Sequence, residues 1–120
     1  MLGGAPMSTY DLELQDAAAG VVVASLAGEL DLTNARELEE RLDGAAASEA
    51  LLVIDINRVV FIDSAALHVL FKLAKRRADG RLVLLMESNA AVSRTLDIVG
   101  MKDAVRIVPS LDDLGLAETG

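Results

Sequence analysis

The chain has 120 residues, of which 52% are hydrophobic and 2% aromatic, and its formal net charge is −8. A chain of this length fits one domain and can bury roughly two-thirds of its unfolded surface. The negative charge disfavours a nucleic-acid partner, because nonspecific affinity for phosphates needs a basic surface, and the lack of cysteine excludes disulfides, thiol nucleophiles and cysteine-based zinc sites.

The N-terminal segment "MLGGAPMSTY" has neither the basic nor the apolar region of a signal peptide. We interpret residues 1–6 as a loose tail and residues 7–120 as one domain, with Met7 as a candidate start. No run approaches the roughly 20 apolar residues of a membrane-spanning helix. The sequence therefore predicts a cytoplasmic protein without a membrane span.

Two strands are predicted next. "TYDLELQD" alternates apolar and polar residues, as in a half-exposed strand, whereas "GVVVASLAG" is the continuous apolar run of a buried strand. The intervening "AAAG" is turn-like. These segments together predict a β-hairpin.

The segment "GELDLTNARELEERLDGAAAS" predicts the first helix. Thr33 or Asn34 can cap its N-terminus, and Asn34 with Glu37 has the spacing of a capping box. Its apolar residues recur at helical spacing, so we expect one stripe to face the core. That stripe consists of Ala35, Leu38 and Leu42.

The next strand is "LLVIDI", a short apolar run typical of a strand buried on both faces of a parallel sheet. The helix that begins near Ser64 is predicted to end at "ADG", where Gly80 can take the left-handed conformation. Its basic cluster, "KLAKRRADGR", is interpreted as the outer face and last turn of this helix, where cations suit the helix dipole. The alternative is that the cluster binds an acidic partner. His68 is interpreted as a surface residue of the same helix.

Three elements follow the next buried strand, "RLVLLM". "ESNAAVSRTLDIVG" predicts a helix that ends at Gly100, "AVRIVP" predicts a strand, and "SLDDLGLA" predicts a short helix with a capping box from Ser110 to Asp113. The inward residues of the first of these helices are predicted to be Val92, Leu96 and Val99.

The predicted order is therefore β-β-α-β-α-β-α-β-α. Alternating strands and helices indicate an α/β domain whose sheet is mixed but mostly parallel, with about four helices.

Known enzyme signatures are absent from the sequence. It has no Gly-rich phosphate loop with Lys-Ser/Thr and no GxGxxG after a strand. Ser64 lacks the flanking glycines of a nucleophile elbow, and its only candidate base is His68 on the same helix. Asp31, Asp55 and Asp63 all fall near the C-terminal ends of strands, where α/β sites gather, and could bind a divalent cation, although such acids more often cap helices.

The Asp63–Ser64 pair, between a buried strand and a helix, allows two interpretations. Either residue can cap the helix, a role that stabilises it by about 1 kcal/mol. Alternatively, Ser64 is a modification site. A helix N-terminus favours an added anion, and a phosphoserine carries about −1.5 to −2 charge that would repel a docked partner.

Three segments resemble, in order and spacing, the STAS-domain anti-sigma factor antagonists. They are "GELDLTNARELEERL" (Gly28 to Leu42), "LLVIDINRVVFIDSAALHVL" (Leu51 to Leu70) and "NAAVSRTLDIVGM" (Asn89 to Met101). The resemblance extends over essentially the whole chain from Met7. It implies that Ser64 occupies the position that is phosphorylated in that family.

The resemblance also implies the function. The unphosphorylated form would bind an anti-sigma factor of the histidine-kinase-like ATPase type, which is also the serine kinase, and so release a sigma factor. A serine phosphatase would reset the switch, and the chain itself would be neither an enzyme nor dependent on a cofactor or metal. The expected partner-binding residues are Gly28, Glu29, Leu30, Asp31, Asp63, Ser64, Ala65, Ala66 and Leu67. The alternative is a non-switching STAS accessory or scaffold subunit of a transport or stress complex.

One feature departs from the family pattern. Ser/Thr-Gly usually follows the phosphorylated serine, whereas this chain has Ala65 and Ala66. The change leaves Ser64 as the only hydroxyl in the motif. We also expect it to place a methyl group where a kinase loop approaches, which would either slow phosphorylation or require a dedicated kinase partner.

Overall fold

The computed structural model describes residues 9–47, 49–77 and 80–115. The predicted tail at residues 1–6 and the end of the predicted last helix lie outside these ranges. The strands are β1 (Tyr10–Ala18), β2 (Val21–Leu30), β3 (Leu51–Ile62), β4 (Leu82–Leu85) and β5 (Arg106–Val108). The helices are α1 (Ala35–Asp43), α2 (Ser64–Arg76), α3 (Ala90–Ile98) and α4 (Met101–Ala104), followed by a 3₁₀ turn at Leu111–Leu114.

The strands form one sheet in the order β1-β2-β3-β4-β5. β1 pairs with β2 in antiparallel fashion, and the other three pairings are parallel. The predicted α/β class and the mixed, mostly parallel sheet are therefore confirmed. No helix in the described part of the chain is long and apolar enough to cross a bilayer.

The main core lies between the sheet and the four helices. Both predicted stripes contribute to it, since Leu38 and Leu42 of α1 and Leu96 of α3 are buried at 2% exposure or less. A smaller cluster of valines and leucines lies on the opposite face of the sheet, against Leu111 and Leu114 of the 3₁₀ turn. The strand predicted from "LLVIDI" is buried on both faces as expected.

β3 is twice as long as the predicted strand. Two bulges interrupt the alternation of its second half, so the sequence pattern predicts only the first half. The side chains that face the helices are spaced by two residues up to Ile56, and then by three to Val59 and to Ile62. The pairing with β2 shifts at the same two places, between Asp55 and Arg58 and again before Phe61. Each bulge adds one residue to β3 and reverses which side chains face the core.

The predicted ends of α2 and of the next helix, and the start of the last strand, need correction. α2 ends at Arg76 rather than at "ADG", although Gly80 is left-handed at φ 72°. α3 ends at Ile98, two residues before the predicted end at Gly100, and Val99 is 39% exposed rather than inward. Gly100, at φ 72°, directly precedes α4, a helix that was not predicted. Ala104 belongs to this helix and not to the predicted strand.

The basic cluster at the end of α2 also differs from its predicted surface role at one residue. Lys75 and Arg76 are exposed as predicted, whereas Arg77 is 7% exposed. Its guanidinium donates to the carbonyl oxygens of Ala46, at 2.5 Å, and Ala50, at 3.0 Å. Arg77 therefore fixes the loop after α1 and is not part of a basic surface.

Candidate functional site

The site is built around the carboxylate of Asp63, the residue between β3 and α2. Its Oδ1 accepts a hydrogen bond from the backbone N–H of Ala66 at 3.0 Å, which caps α2. Its Oδ2 accepts from the backbone N–H of Leu32 at 3.0 Å. One side chain thus ties the first turn of α2 to the loop after β2, two segments that are distant in sequence.

Ser64 is the first residue of α2, and its side chain is exposed. Within the described residues its hydroxyl makes no hydrogen bond, because Asp63 supplies the cap. The interpretation of Ser64 as the helix cap is therefore wrong. Backbone N–H groups at a helix N-terminus favour an added phosphate, so the hydroxyl is both accessible and well placed for modification.

The loop after β2 is ordered by a second set of side chains. Asp31 Oδ1 accepts from the backbone N–H and from the hydroxyl of Thr33, at 3.0 and 2.5 Å. Asn34 donates to the carbonyl oxygen of Glu29 and accepts from the N–H of Asp31. These bonds hold the turn that faces Asp63.

The predicted capping box from Asn34 to Glu37 is wrong, because the side chain of Asn34 binds within this loop. Asn34 precedes α1 but makes no side-chain cap, since its amide is committed to the loop. Glu37 instead accepts a hydrogen bond from the Tyr10 hydroxyl at 2.6 Å. Burial, and then that bond to Glu37, raise the pKa of Tyr10 above its usual value.

The predicted docking surface needs correction at three of its positions. Leu30 and Ala66 are fully buried and Leu67 is 6% exposed, so their side chains support the surface from within the core. Glu29, Asp31, Asp63, Ser64 and Ala65 are at least partly exposed. The methyl group of Ala66 also faces the core, so it does not obstruct an approaching kinase loop as expected.

Three exposed apolar side chains beside Asp63 were not predicted as part of the site. Leu32 is 76% exposed, Val60 60% and Phe61 49%. We call these three residues the apolar rim. The signal in the sequence is the run "VVFI", Val59 to Ile62, in which four consecutive apolar residues exceed what one core-facing side of a strand needs.

A groove of about 410 Å³ runs between α1 and α2 from this rim. Leu32 and Ala65 line its end near Ser64, and His68, exposed as predicted, lines it further along α2. Glu39 bridges the two helices through Lys72 at 2.8 Å and Arg76 at 2.6 Å. The hydrogen bond from Lys72, followed by that from Arg76, lowers the pKa of Glu39 below its usual value.

The three aspartates considered as cation ligands are engaged separately. Asp55 accepts from Asn57 at 2.9 Å, whereas Asp31 orders the loop after β2 and Asp63 joins that loop to the first turn of α2. Within residues 9–47, 49–77 and 80–115, no group of three or more acidic or histidine side chains is placed to hold a metal ion.

The fold and this site define a small α/β domain with an exposed serine at the start of a helix. The profile of the STAS domain matches residues 15–114, so the chain belongs to the STAS-domain family. The chain is 28% identical over 95 residues to the anti-sigma-F factor antagonist RsfB of Mycobacterium tuberculosis, a match that covers 78% of each protein.

Solved structures agree with the family assignment. An anti-sigma factor antagonist from Mycobacterium paratuberculosis is 26% identical, with a TM-score of 0.77, over 90% of this chain and 92% of that one. The unphosphorylated form of the anti-sigma factor antagonist SpoIIAA has the same fold, with a TM-score of 0.70 at 18% identity, over 90% of this chain and all of that one.

Substitution of Asp63 tests which residue caps α2. Asp63→Ala removes the acceptor for two backbone N–H groups, and we expect it to lower the free energy of unfolding by about 1–3 kcal/mol. Ser64→Ala is the matched control and should change that free energy by less than about 0.5 kcal/mol. Urea denaturation measures both, and equal losses would mean that Ser64 shares the capping role.

Proposed function

We propose that this protein is an anti-sigma factor antagonist that switches partners through Ser64. The unphosphorylated form binds an anti-sigma factor and thereby releases a sigma factor, and phosphorylation of Ser64 prevents that binding. The observation that carries this proposal is the exposed Ser64 hydroxyl, which makes no hydrogen bond among the described residues and begins a helix already capped by Asp63.

The partner in this proposal is a histidine-kinase-like ATPase that is both the anti-sigma factor and the serine kinase. A serine phosphatase restores the unphosphorylated form. The chain acts by binding rather than by catalysis, and it acts in the cytoplasm, where sigma factors meet RNA polymerase. The kinship with an anti-sigma-F factor antagonist supports this choice of partner.

The surface around Ser64 explains how a phosphate could work as the off signal. The apolar rim is suited to contact with an apolar partner surface, and Glu29, Asp31 and Asp63 add negative charge nearby. A phosphate on Ser64 adds about −1.5 to −2 charge next to Asp63, at the start of α2. A partner that buries the rim must then either remove water from that charge, which costs binding free energy, or be repelled by it.

The proposal does not require a change of fold. SpoIIAA has been solved in an unphosphorylated and a phosphorylated form, and the fold of this chain matches them with TM-scores of 0.70 and 0.62. A helix N-terminus can accept an anion without rearrangement, because its N–H groups already point outward. We therefore attribute the switch to blocked docking.

The test is a kinase assay with the purified histidine-kinase-like anti-sigma factors of the host, one at a time, with ATP. One of them should add a single phosphate to the chain, and Ser64→Ala should abolish the reaction, as intact-mass and peptide mass spectrometry can show. Ser93→Ala is the matched control and should be phosphorylated normally.

Two outcomes would count against the proposal. A phosphate on Ser88, Ser93 or Thr95 would contradict the assignment of the site. Stable binding to a partner without phosphorylation by any of these kinases would favour the accessory or scaffold subunit instead.

A further inference from the structure

The C-terminal half of β3 extends beyond its neighbour β4. The last paired residues of these strands are Asp55 and Leu85, so Ile56–Ile62 has no strand on that side within the described part of the chain. We call Ile56–Ile62 the overhang. It carries two of the three rim residues, Val60 and Phe61, and it leads directly into Asp63 and Ser64.

The side-chain amide of Asn89 binds the edge of the overhang that β4 does not cover. Its Nδ2 donates to the carbonyl oxygens of Ile56, at 2.7 Å, and Val59, at 2.8 Å. Carbonyls on one edge of a regular strand are two residues apart, whereas these are three apart, which fits the bulge between Asp55 and Arg58. The amide of Asn89 therefore matches the bulged form of the strand.

A second side chain fixes the same junction from the opposite direction. Asn57, on the overhang, accepts a hydrogen bond from the backbone N–H of Glu87 at 2.7 Å. Its own amide donates to Asp55 at 2.9 Å. Two asparagines thus join the overhang to the segment between β4 and α3.

Asn89 holds the overhang and leaves its own helix without a side-chain cap. It occupies the position before α3, where an asparagine usually accepts a hydrogen bond from the helix, yet it makes no such bond. Its donor hydrogens bind β3 instead. The polar group is used to hold the strand that presents Val60 and Phe61.

We infer that Asn89 is a positioning residue for the partner-docking surface: it holds the bulged overhang so that Val60 and Phe61, the exposed side chains on the strand that leads into Asp63 and Ser64, keep a fixed arrangement. This inference rests on the proposed function, because the docking partner is the anti-sigma factor. A preformed apolar rim costs less conformational entropy on binding than one that must be ordered by the partner. Without the amide donor, the overhang would keep its pairing with β2, but its free edge would have to be ordered at each docking event.

The test compares Asn89→Asp with wild type by calorimetric titration with the anti-sigma factor that binds the wild-type chain. Aspartate has nearly the same shape and is a good helix cap, but it offers no donor to the carbonyls of β3. We expect the affinity to fall about tenfold, the change that a modest loss of preorganisation produces. Asn89→Ala should lower it to a similar degree.

A matched control and a double mutant separate positioning from general stability. Ser110→Ala removes a comparable side-chain bond, the one accepted from Asp112 at 3.0 Å, far along the chain from the rim, and should leave the affinity unchanged. If Asn89 acts through Phe61, then Asn89→Asp should have little further effect in a Phe61→Ala background. Additive losses would overturn the inference.

Amide hydrogen exchange gives a readout that does not depend on the partner. In Asn89→Asp, exchange should accelerate at Val60 and Phe61 and stay unchanged at Val53 in the centre of the sheet. Unchanged exchange in the overhang would overturn the bracing role. Faster exchange with unchanged affinity would overturn the link to docking, and a wild-type chain that binds no anti-sigma factor would overturn the proposed function and that link together.

Discussion

Ser64→Glu is expected to weaken binding to the anti-sigma factor by about 100-fold or more, whereas Ser64→Ala should bind like wild type. Like charges brought together in an interface cost several kcal/mol, and each 1.4 kcal/mol is a tenfold change in affinity. The glutamate would lie at the start of α2, beside Asp63 and the loop that it binds at Leu32. Calorimetric titration at physiological salt measures both variants.

The control for this prediction separates a local charge from the net charge of the chain, which is already −8. Gln15→Glu adds the same single charge at an exposed position on β1 and should leave the affinity nearly unchanged. Far-ultraviolet circular dichroism of Ser64→Glu should match wild type. Equal affinities of Ser64→Ala and Ser64→Glu would exclude an electrostatic switch, and a weakened Gln15→Glu would indicate long-range repulsion.

The sequence was sufficient for the order of the five strands and the three longer helices, because most of these elements have an undisturbed hydrophobic period. In α1, Leu38 and Leu42 recur at helical spacing and are both buried. β4 is a continuous apolar run and is buried along its whole length. In such segments one local pattern and the tertiary packing require the same structure.

The second half of β3 could not be predicted by the same means. Val59 and Ile62 face the helices only because two bulges reverse the alternation, and the bulges depend on contacts with β2 and with Asn89. α4 was missed because Gly100 was interpreted only as a stop, although its left-handed conformation also begins the next helix. Bulges are set by pairing with a strand distant in sequence, which a single period does not reveal.

The candidate site was predictable in position but not in its internal bonds. The sequence located Asp63 and Ser64 at the junction of a buried strand and a helix. It did not reveal that Asp63 also binds Leu32, a contact between residues 31 positions apart. Nor did it assign the capping and the exposed hydroxyl to different residues, because aspartate and serine are equally good caps.

Gly28 was predicted to belong to the docking surface, and the structure gives it a different importance. Its φ is 94°, and a Cβ added there would lie 2.3 Å from the carbonyl oxygen of Thr9. That same oxygen accepts a hydrogen bond from the N–H of Glu29 at 2.8 Å. A glycine is therefore needed for the close approach of β1 to the end of β2, next to the loop that carries Asp31.

Gly28→Ala is expected to lower the free energy of unfolding by about 3 kcal/mol, from left-handed backbone strain of roughly 1–2 kcal/mol plus overpacking of roughly 1–3 kcal/mol. For a domain of this size the melting temperature should fall by roughly 10 °C. Gly20→Ala is the matched control, because Gly20 has φ 75° but no atom within 4 Å of an added Cβ. It should show only the strain, about 1 kcal/mol. Thermal and urea denaturation of both variants would measure the difference, and equal losses would mean that β1 can move away from β2 at Thr9, so that the close approach would not be what requires a glycine at position 28.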